Sequence, residues 1–311
     1  MKVAARAFVS LSLVAAAFFL LDWRALGSVV QQTSVTSFLA AIAVILVSFV
    51  FLAFRWVRIV GGYVSIPALE HWRVYFYATF LNSFTPANIG GDVYRAAALK
   101  RYACGFTGLV VALLRERLFG LLSFLIGYGI CIAALLVASP VVYAALDPIY
   151  LLALVPIIMG AIALVAGAPL VRYLEKWRWL RTRERLSALA ADLGDAMVLH
   201  SPGDFLILLA LSLMALAAWI AAVAIVASDL GLALSIPLLG AIAILTELVR
   251  LVPISLQGIG LREGSFSVLV GLAGGSPESG FVLGAWSYLA LSLALLLCWP
   301  IASAIGLARR G

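Results

Sequence analysis

Apolar residues along this chain gather into long runs, notably residues 3–21, 38–54 and 205–226. At ~1.5 Å rise per residue, about 20 of them cross a hydrocarbon layer ~30 Å thick, with roughly 17–25 as the working range. Further runs at about 107–138, 149–168 and 281–307, with the third run above extending to 227, bring the expectation to about six full spans. Two weaker segments, 74–101 and 236–273, are interrupted by polar residues, prolines and glycines. The pattern predicts an all-α polytopic membrane protein forming a single transmembrane domain over 1–311. Half one covers about 1–168, a cytoplasmic amphipathic linker 170–204, and half two 205–311. The first run ends at Asp22-Trp23-Arg24 and reads as a retained span. Small residues at Ala25-Leu26-Gly27 leave a cleaved signal as the alternative.

Composition turns the pattern into a class. Hydrophobic residues make up 65% of the chain and charged residues 11%, with a mean hydropathy of +1.16. Soluble domains run at roughly 45–50% and about 25%. So few charges cannot cover a soluble surface, which excludes a secreted domain, a cytosolic enzyme and a disordered tail. The net charge of +7 comes from 21 Lys and Arg against 14 Asp and Glu. It argues for basic cytoplasmic loops rather than nucleic acid. Lys2, Arg6, Arg55, Arg58, Arg73, Lys100, Arg101, the basic block at 172–185 and Arg309-Arg310 fit one side. The loops 31–37, 139–148 and 274–280 carry Asp147 and Glu278 but no Lys or Arg. The positive-inside rule then places both termini in the cytoplasm. In the linker, Trp177 and Trp179 stand among basic residues, and Leu186, Leu189, Leu193 and Met197 recur at helical spacing, as on a surface helix. Its charges serve topology, with anionic-headgroup binding as the alternative. Cys104, Cys131 and Cys298 have no metal spacing, and His71 and His200 are too isolated for a zinc site or a triad. No metal and no cofactor is expected.

The two weak segments carry the most information. In the first, Pro86 and Gly90-Gly91 interrupt the helix, because proline removes an amide donor and paired glycines free the backbone. Asp92 suits the start of the returning helix. Arg73 before it and Lys100-Arg101 after it make the segment a re-entrant hairpin from the cytoplasmic face. In the second, Pro253, Gly258 and Gly260 break the passage, and its flanks, Asp229 and the 274–280 loop, are outer. The halves therefore read as an inverted-topology repeat with discontinuous helices in corresponding positions, an arrangement associated with a midplane site and alternating access. Irregular backbone at membrane depth survives only where protein or a water-filled cavity satisfies it. Two kinked structural helices are the plainer alternative.

Charges inside apolar runs point the same way. Arg115-Glu116-Arg117 lies within 109–125, and Glu247 and Arg250 lie in another run. A charge at the bilayer centre costs about 2.5–3.5 kcal/mol on insertion scales, so such residues face the interior, pair, or line a pathway. The candidate substrate-binding set is Asn82, Asn88, Asp92, Arg95, Arg115, Glu116, Arg117, Glu247, Arg250, Gln257, Arg262 and Glu263. Guanidinium forks suit phosphate; the acids would neutralise them or exchange protons. A purely structural ion-pair network is the alternative.

Asn82, Pro86, Gly90-Gly91-Asp92 and Arg95, followed by Glu116-Arg117-Leu118, resemble the lysylphosphatidylglycerol synthase transmembrane-region family of flippase-like proteins. Pro253-Ile254-Ser255, Gly258, Gly260 and Arg262-Glu263 look like its second signature. The resemblance runs from about residue 5 to 308. It implies a multi-pass protein of the bacterial inner membrane, related to the part of lipid-aminoacylating enzymes that moves the product outward. With the chain ending at Gly311, just after the last span, no transferase domain is expected and the synthetic activity does not carry over. Stand-alone relatives are associated with hopanoid, polyprenyl-linked and other envelope lipids.

The leading expectation is a translocator of an anionic or modified envelope lipid, acting on membrane lipids and not as an enzyme. A membrane-embedded headgroup or sugar transferase is the alternative, with Asp92 or Glu116 as base. It lacks an aspartate-rich metal motif, and Gly258-Ile259-Gly260 lacks the third glycine of a dinucleotide loop. An accessory subunit is a third reading, and partners would be a second copy or envelope-biosynthesis enzymes.

Overall fold

The computed structural model describes residues 33–85, 89–102, 106–138, 201–250, 255 and 258–308. The expected spans at 3–21 and 149–168, and the linker up to residue 200, lie outside them. The described residues form eight α-helices and no strand: α1 Val35–Val60, α2 Ala68–Asn82, α3 Ile89–Leu99, α4 Phe106–Ala138, α5 Pro202–Asp229, α6 Ile236–Arg250, α7 Leu261–Leu272 and α8 Pro277–Ala308. Four of them, α1, α4, α5 and α8, are long and apolar enough to cross a membrane. With 26 residues, even the shortest of the four, α1, extends about 39 Å at 1.5 Å per residue. The chain is a multi-pass integral membrane protein.

Helix starts follow local chemistry. The Ser34 hydroxyl accepts from the Ser37 amide at the head of α1, and the Ser201 hydroxyl accepts from the Gly203 amide where Pro202 opens α5. These side chains satisfy amides that have no partner within the helix, and proline at the first position has no amide to lose. The interruptions fall where the sequence placed them. At 15, 11, 15 and 12 residues, α2, α3, α6 and α7 are each too short to span alone.

Side-chain contacts fix the helix directions. The Ser34 amide and the Ser37 hydroxyl at the head of α1 donate to Asp229 at the tail of α5. Arg58 near the tail of α1 donates to Asp204 at the head of α5. These two helices are therefore antiparallel. Phe119 packs on Phe205, and the Gly127 backbone faces Leu216, so α4 runs parallel to α5. Phe38 meets Trp286 with ring centroids 5.2 Å apart, joining the heads of α1 and α8. Tyr77 bonds Ser303 and Arg73 lies against Gly306, so α2 runs antiparallel to α8. Gly240 on Cys131 makes α6 antiparallel to α4 in the same way.

Within the first pair, α3 folds back along α2, with Gly91 against Ala78 and Tyr94 beside Tyr77. The short connector after α1 brings this hairpin in from the end of the bundle holding Arg58 and Asp204. The pair α6–α7 opens instead at the opposite end, between the tail of α5 and the head of α8. Each pairing has its counterpart: α2 with α8 and α6 with α4, α1 with α8 and α5 with α4, α2 with α3 and α6 with α7. One difference stands out. A Cβ on Gly280 would come within 2.6 Å of the Phe266 carbonyl oxygen, so glycine lets α8 lie directly against α7. By contrast, α3 meets α4 through charged pairs.

Candidate functional site

All eight helices line one cavity of about 690 Å³ in the middle of the bundle. One part of its wall is apolar, with Phe49, Leu52, Phe124, Leu216 and Leu295. The remainder carries five arginines, Arg55, Arg95, Arg117, Arg250 and Arg262, against three carboxylates, Asp92, Glu116 and Glu247. Among the described residues the lining therefore has two net positive charges. Two apolar lining residues, Phe84 at 63% exposure and Leu296 at 43%, lie at its open margin.

The first half builds its charge cluster from three helices. Glu116 on α4 is buried and pairs through one oxygen with Arg95 of α3. Its other oxygen lies 3.7 Å from the Arg55 guanidinium of α1. Arg55 also donates to the Ser212 hydroxyl on α5 at 2.9 Å. The Arg95 guanidinium carbon lies 4.5 Å above the Trp56 ring centroid and 5.2 Å from that of Tyr75. The faces of both rings attract the cation. Nearer the margin, Arg117 pairs with Asp92 at 2.6 Å, and the Arg117 side chain is about half exposed.

The second half repeats the logic with one acid and two bases. Glu247 on α6 accepts from Arg250 at 2.8 Å and, through its other oxygen, from Arg262 of α7 at 2.7 Å. The Arg262 guanidinium carbon lies 5.0 Å from the Tyr288 ring centroid. In each half a single buried carboxylate is thus shared between two guanidinium groups; one of these in the first half, and both in the second, come from a short helix beside a break.

The first break is closed by its own side chains. Amides at the head of α3 are capped by Thr85 Oγ1, which accepts from Gly90, and Asn82 Oδ1, which accepts from Gly91, both at 2.9 Å. A Cβ at position 91 would sit 2.4 Å from the Ala78 carbonyl oxygen and from Asn82 Oδ1, so the turn requires glycine there. Asp92 falls in the first turn of α3, but its carboxylate turns to Arg117. At the second break, Gly258 and Gly260 adopt φ of 82° and 78°, the left-handed region that favours glycine.

Of the twelve expected site residues, Asn82, Asp92, Arg95, Glu116, Arg117, Glu247, Arg250 and Arg262 line the cavity. Two others are placed elsewhere. Arg115 sits with its guanidinium carbon 5.8 Å from the Tyr63 ring centroid. The Glu263 side chain accepts from the Gly260 amide at 2.8 Å and so caps α7. Asn88, Gln257, Pro86 and Pro253 lie outside the described residues; Gly258 and Gly260 occupy the second break, whereas Gly90 and Gly91, expected to interrupt the helix, fall in the first turn of α3. Arg55 overturns the reading of its charge as a loop residue: α1 continues past it, and it is 5% exposed. Tyr75, Tyr288 and Ser212 were also missed, since nothing in an apolar run distinguishes an aromatic or serine that faces a cavity.

No curated protein and no solved structure matches the chain. The family model of the lysylphosphatidylglycerol synthase TM region matches residues 3–298, and with nearly the whole length covered the chain belongs to that family.

Proposed function

We propose that the protein is a translocator that carries an anionic envelope lipid across the bacterial inner membrane. One observation carries this reading: a single cavity, reached by both broken hairpins, joins an apolar wall to a cluster with two net positive charges. A lipid headgroup needs a polar route through hydrocarbon, while its acyl chains need continuous contact with the bilayer. The guanidinium cluster offers the first. Phe84 and Leu296 at the open margin mark where the chains would leave the cavity.

The paired helix contacts support an inverted-topology repeat. An operation that exchanges the antiparallel α1 and α5 is a two-fold axis lying across the helices. The same operation exchanges hairpins that open at opposite ends. Membrane transporters built this way expose a central site alternately by rocking one repeat against the other. Arg58 and Arg73 stand at one end of the bundle, and Asp229 and Glu278 at the other. This charge distribution supports placing the first end, and both termini, in the cytoplasm.

The test is reconstitution in liposomes containing headgroup-labelled phosphatidylglycerol and phosphatidate, with outer-leaflet accessibility followed over time. Wild-type protein accelerates crossing of at least one of these lipids, and Arg95→Ala and Arg262→Ala slow it at least tenfold. Crossing at the rate of protein-free vesicles for both lipids would refute the translocator.

A further inference from the structure

We infer that the cavity selects a lipid whose headgroup carries at least two negative charges, a terminal phosphomonoester or a diphosphate, over zwitterionic and cationic headgroups. The inference rests on the translocator reading and narrows its substrate.

Charge balance is the first reason. Among the described residues, five guanidinium groups face three carboxylates in the lining, and Arg55, Arg95 and Arg262 are each no more than 5% exposed. A buried charge is costly unless paired, so the occupied site is nearest neutrality when the ligand brings two negative charges. A phosphomonoester carries about −1.5 to −2 near neutral pH. A phosphodiester such as phosphatidylglycerol supplies one.

The hydrogen-bond inventory gives an independent reason. Both oxygens of Glu116 are engaged, by Arg55 and Arg95, and both oxygens of Glu247, by Arg250 and Arg262. The Ser212 hydroxyl accepts from Arg55 and donates to the Leu208 carbonyl, and the Thr79 hydroxyl donates to the Tyr75 carbonyl. Donors, by contrast, are left over. Among the described residues, Nε of Arg55, Nε of Arg95, Nε and Nη1 of Arg262, and Nε1 of Trp219 are buried without an acceptor. Guanidinium donors thus outnumber acceptors in the walls of the site, and a headgroup that brings acceptors suits it better than one that brings donors. An ammonium headgroup would find the buried carboxylates already committed.

The aromatic rings beside the two charge clusters are already occupied. A quaternary ammonium is held by the faces of aromatic side chains. Here the Trp56 and Tyr75 rings already carry the Arg95 guanidinium, and Tyr288 carries that of Arg262. A lysyl ester of phosphatidylglycerol, with two ammonium groups against one phosphate, is a poor fit on charge and on hydrogen bonding. The family's description does not determine this chain's substrate.

Purified full-length protein in detergent, offered lipids in competition and read by native mass spectrometry, provides the test. The probes are dioleoyl phosphatidate, farnesyl diphosphate, phosphatidylglycerol, phosphatidylcholine and lysyl-phosphatidylglycerol. Phosphatidate or farnesyl diphosphate is expected to be retained at least tenfold over phosphatidylglycerol, and whichever of the two binds better identifies a phosphomonoester or an isoprenoid diphosphate source. The phosphatidate advantage should shrink as pH falls below about 6, where the second phosphate proton returns. Arg262→Lys, which keeps the charge but loses the planar fork, should cut the advantage at least threefold; Trp219→Phe provides a milder second variant. Retention of phosphatidylcholine or lysyl-phosphatidylglycerol equal to phosphatidate would overturn the inference. If phosphatidylglycerol crosses liposomes as fast as phosphatidate and binds as well, the charge selection fails and translocation stands. Selective retention of a dianionic lipid that then fails to cross faster upholds the selection and removes the translocator.

Discussion

Glu116 shows how much of this protein's chemistry rests on single side chains. It pairs with both Arg55 and Arg95, which come from two other helices, and all three are nearly free of solvent. Removing one partner of a buried ion pair costs about 3–5 kcal/mol, because the charge left behind has nowhere to go. Glu116→Gln leaves two such charges facing each other. It should lower stability by at least that amount, measured as a fall in the thermal unfolding midpoint in detergent. Arg117→Gln tests the contrast. Its pair with Asp92 is similarly short, but the Arg117 side chain is 49% exposed, so solvent screening limits the loss to about 1 kcal/mol or less. Equal midpoints for the two variants would remove Glu116 from its central place.

At the scale of the element, the break between α2 and α3 is set by contacts only a bare backbone permits. The Ala78 carbonyl oxygen and Asn82 Oδ1 lie only 2.4 Å from where a Cβ on residue 91 would stand, so Gly91→Ala must push α3 away from α2 and uncouple the Asn82 cap. That shift carries Arg95 away from Glu116. The expected outcome is loss of lipid crossing, at least tenfold, together with reduced stability. Asn82→Ala attacks the same contact, so the double variant should be little worse than Gly91→Ala alone. Additive losses would show that glycine and asparagine act separately. The breaks themselves were legible, because proline, glycine and polar residues fall together there, whereas Pro300 alone leaves α8 continuous. Glu263 was less so: its place three residues after Gly260 suits a local cap, and the capping bond is what the fold uses. Arg55 was not legible at all. Close to Arg58, it looked like the charge that ends a span. What buries it is Ser212, 157 positions away, and Glu116 on a third helix. Hydropathy records where an apolar run stops, but carries no information about which distant side chain could accept an arginine.

For the whole molecule, the chief consequence of the paired contacts is a sidedness that can be measured. If the axis relating the halves lies in the membrane, the connectors after α1 and before α5 share one face, and those flanking the α6–α7 pair share the other. Ser65 and Gly203 are exposed at the first end, and Ser235 and Ser276 at the second. Each can be replaced by cysteine in a Cys104→Ser background, because Cys131 and Cys298 are buried. In intact spheroplasts an impermeant thiol reagent should label Ser235→Cys and Ser276→Cys. Ser65→Cys and Gly203→Cys should react only after permeabilisation. The antiparallel α1 and α5 make this a stringent pattern, since Arg58–Asp204 and Ser34–Asp229 tie opposite ends of the same pair. Labelling of Ser65→Cys together with Ser276→Cys from one side would contradict the repeat. It would leave the cavity intact but remove the symmetry through which alternate exposure of its arginines could work.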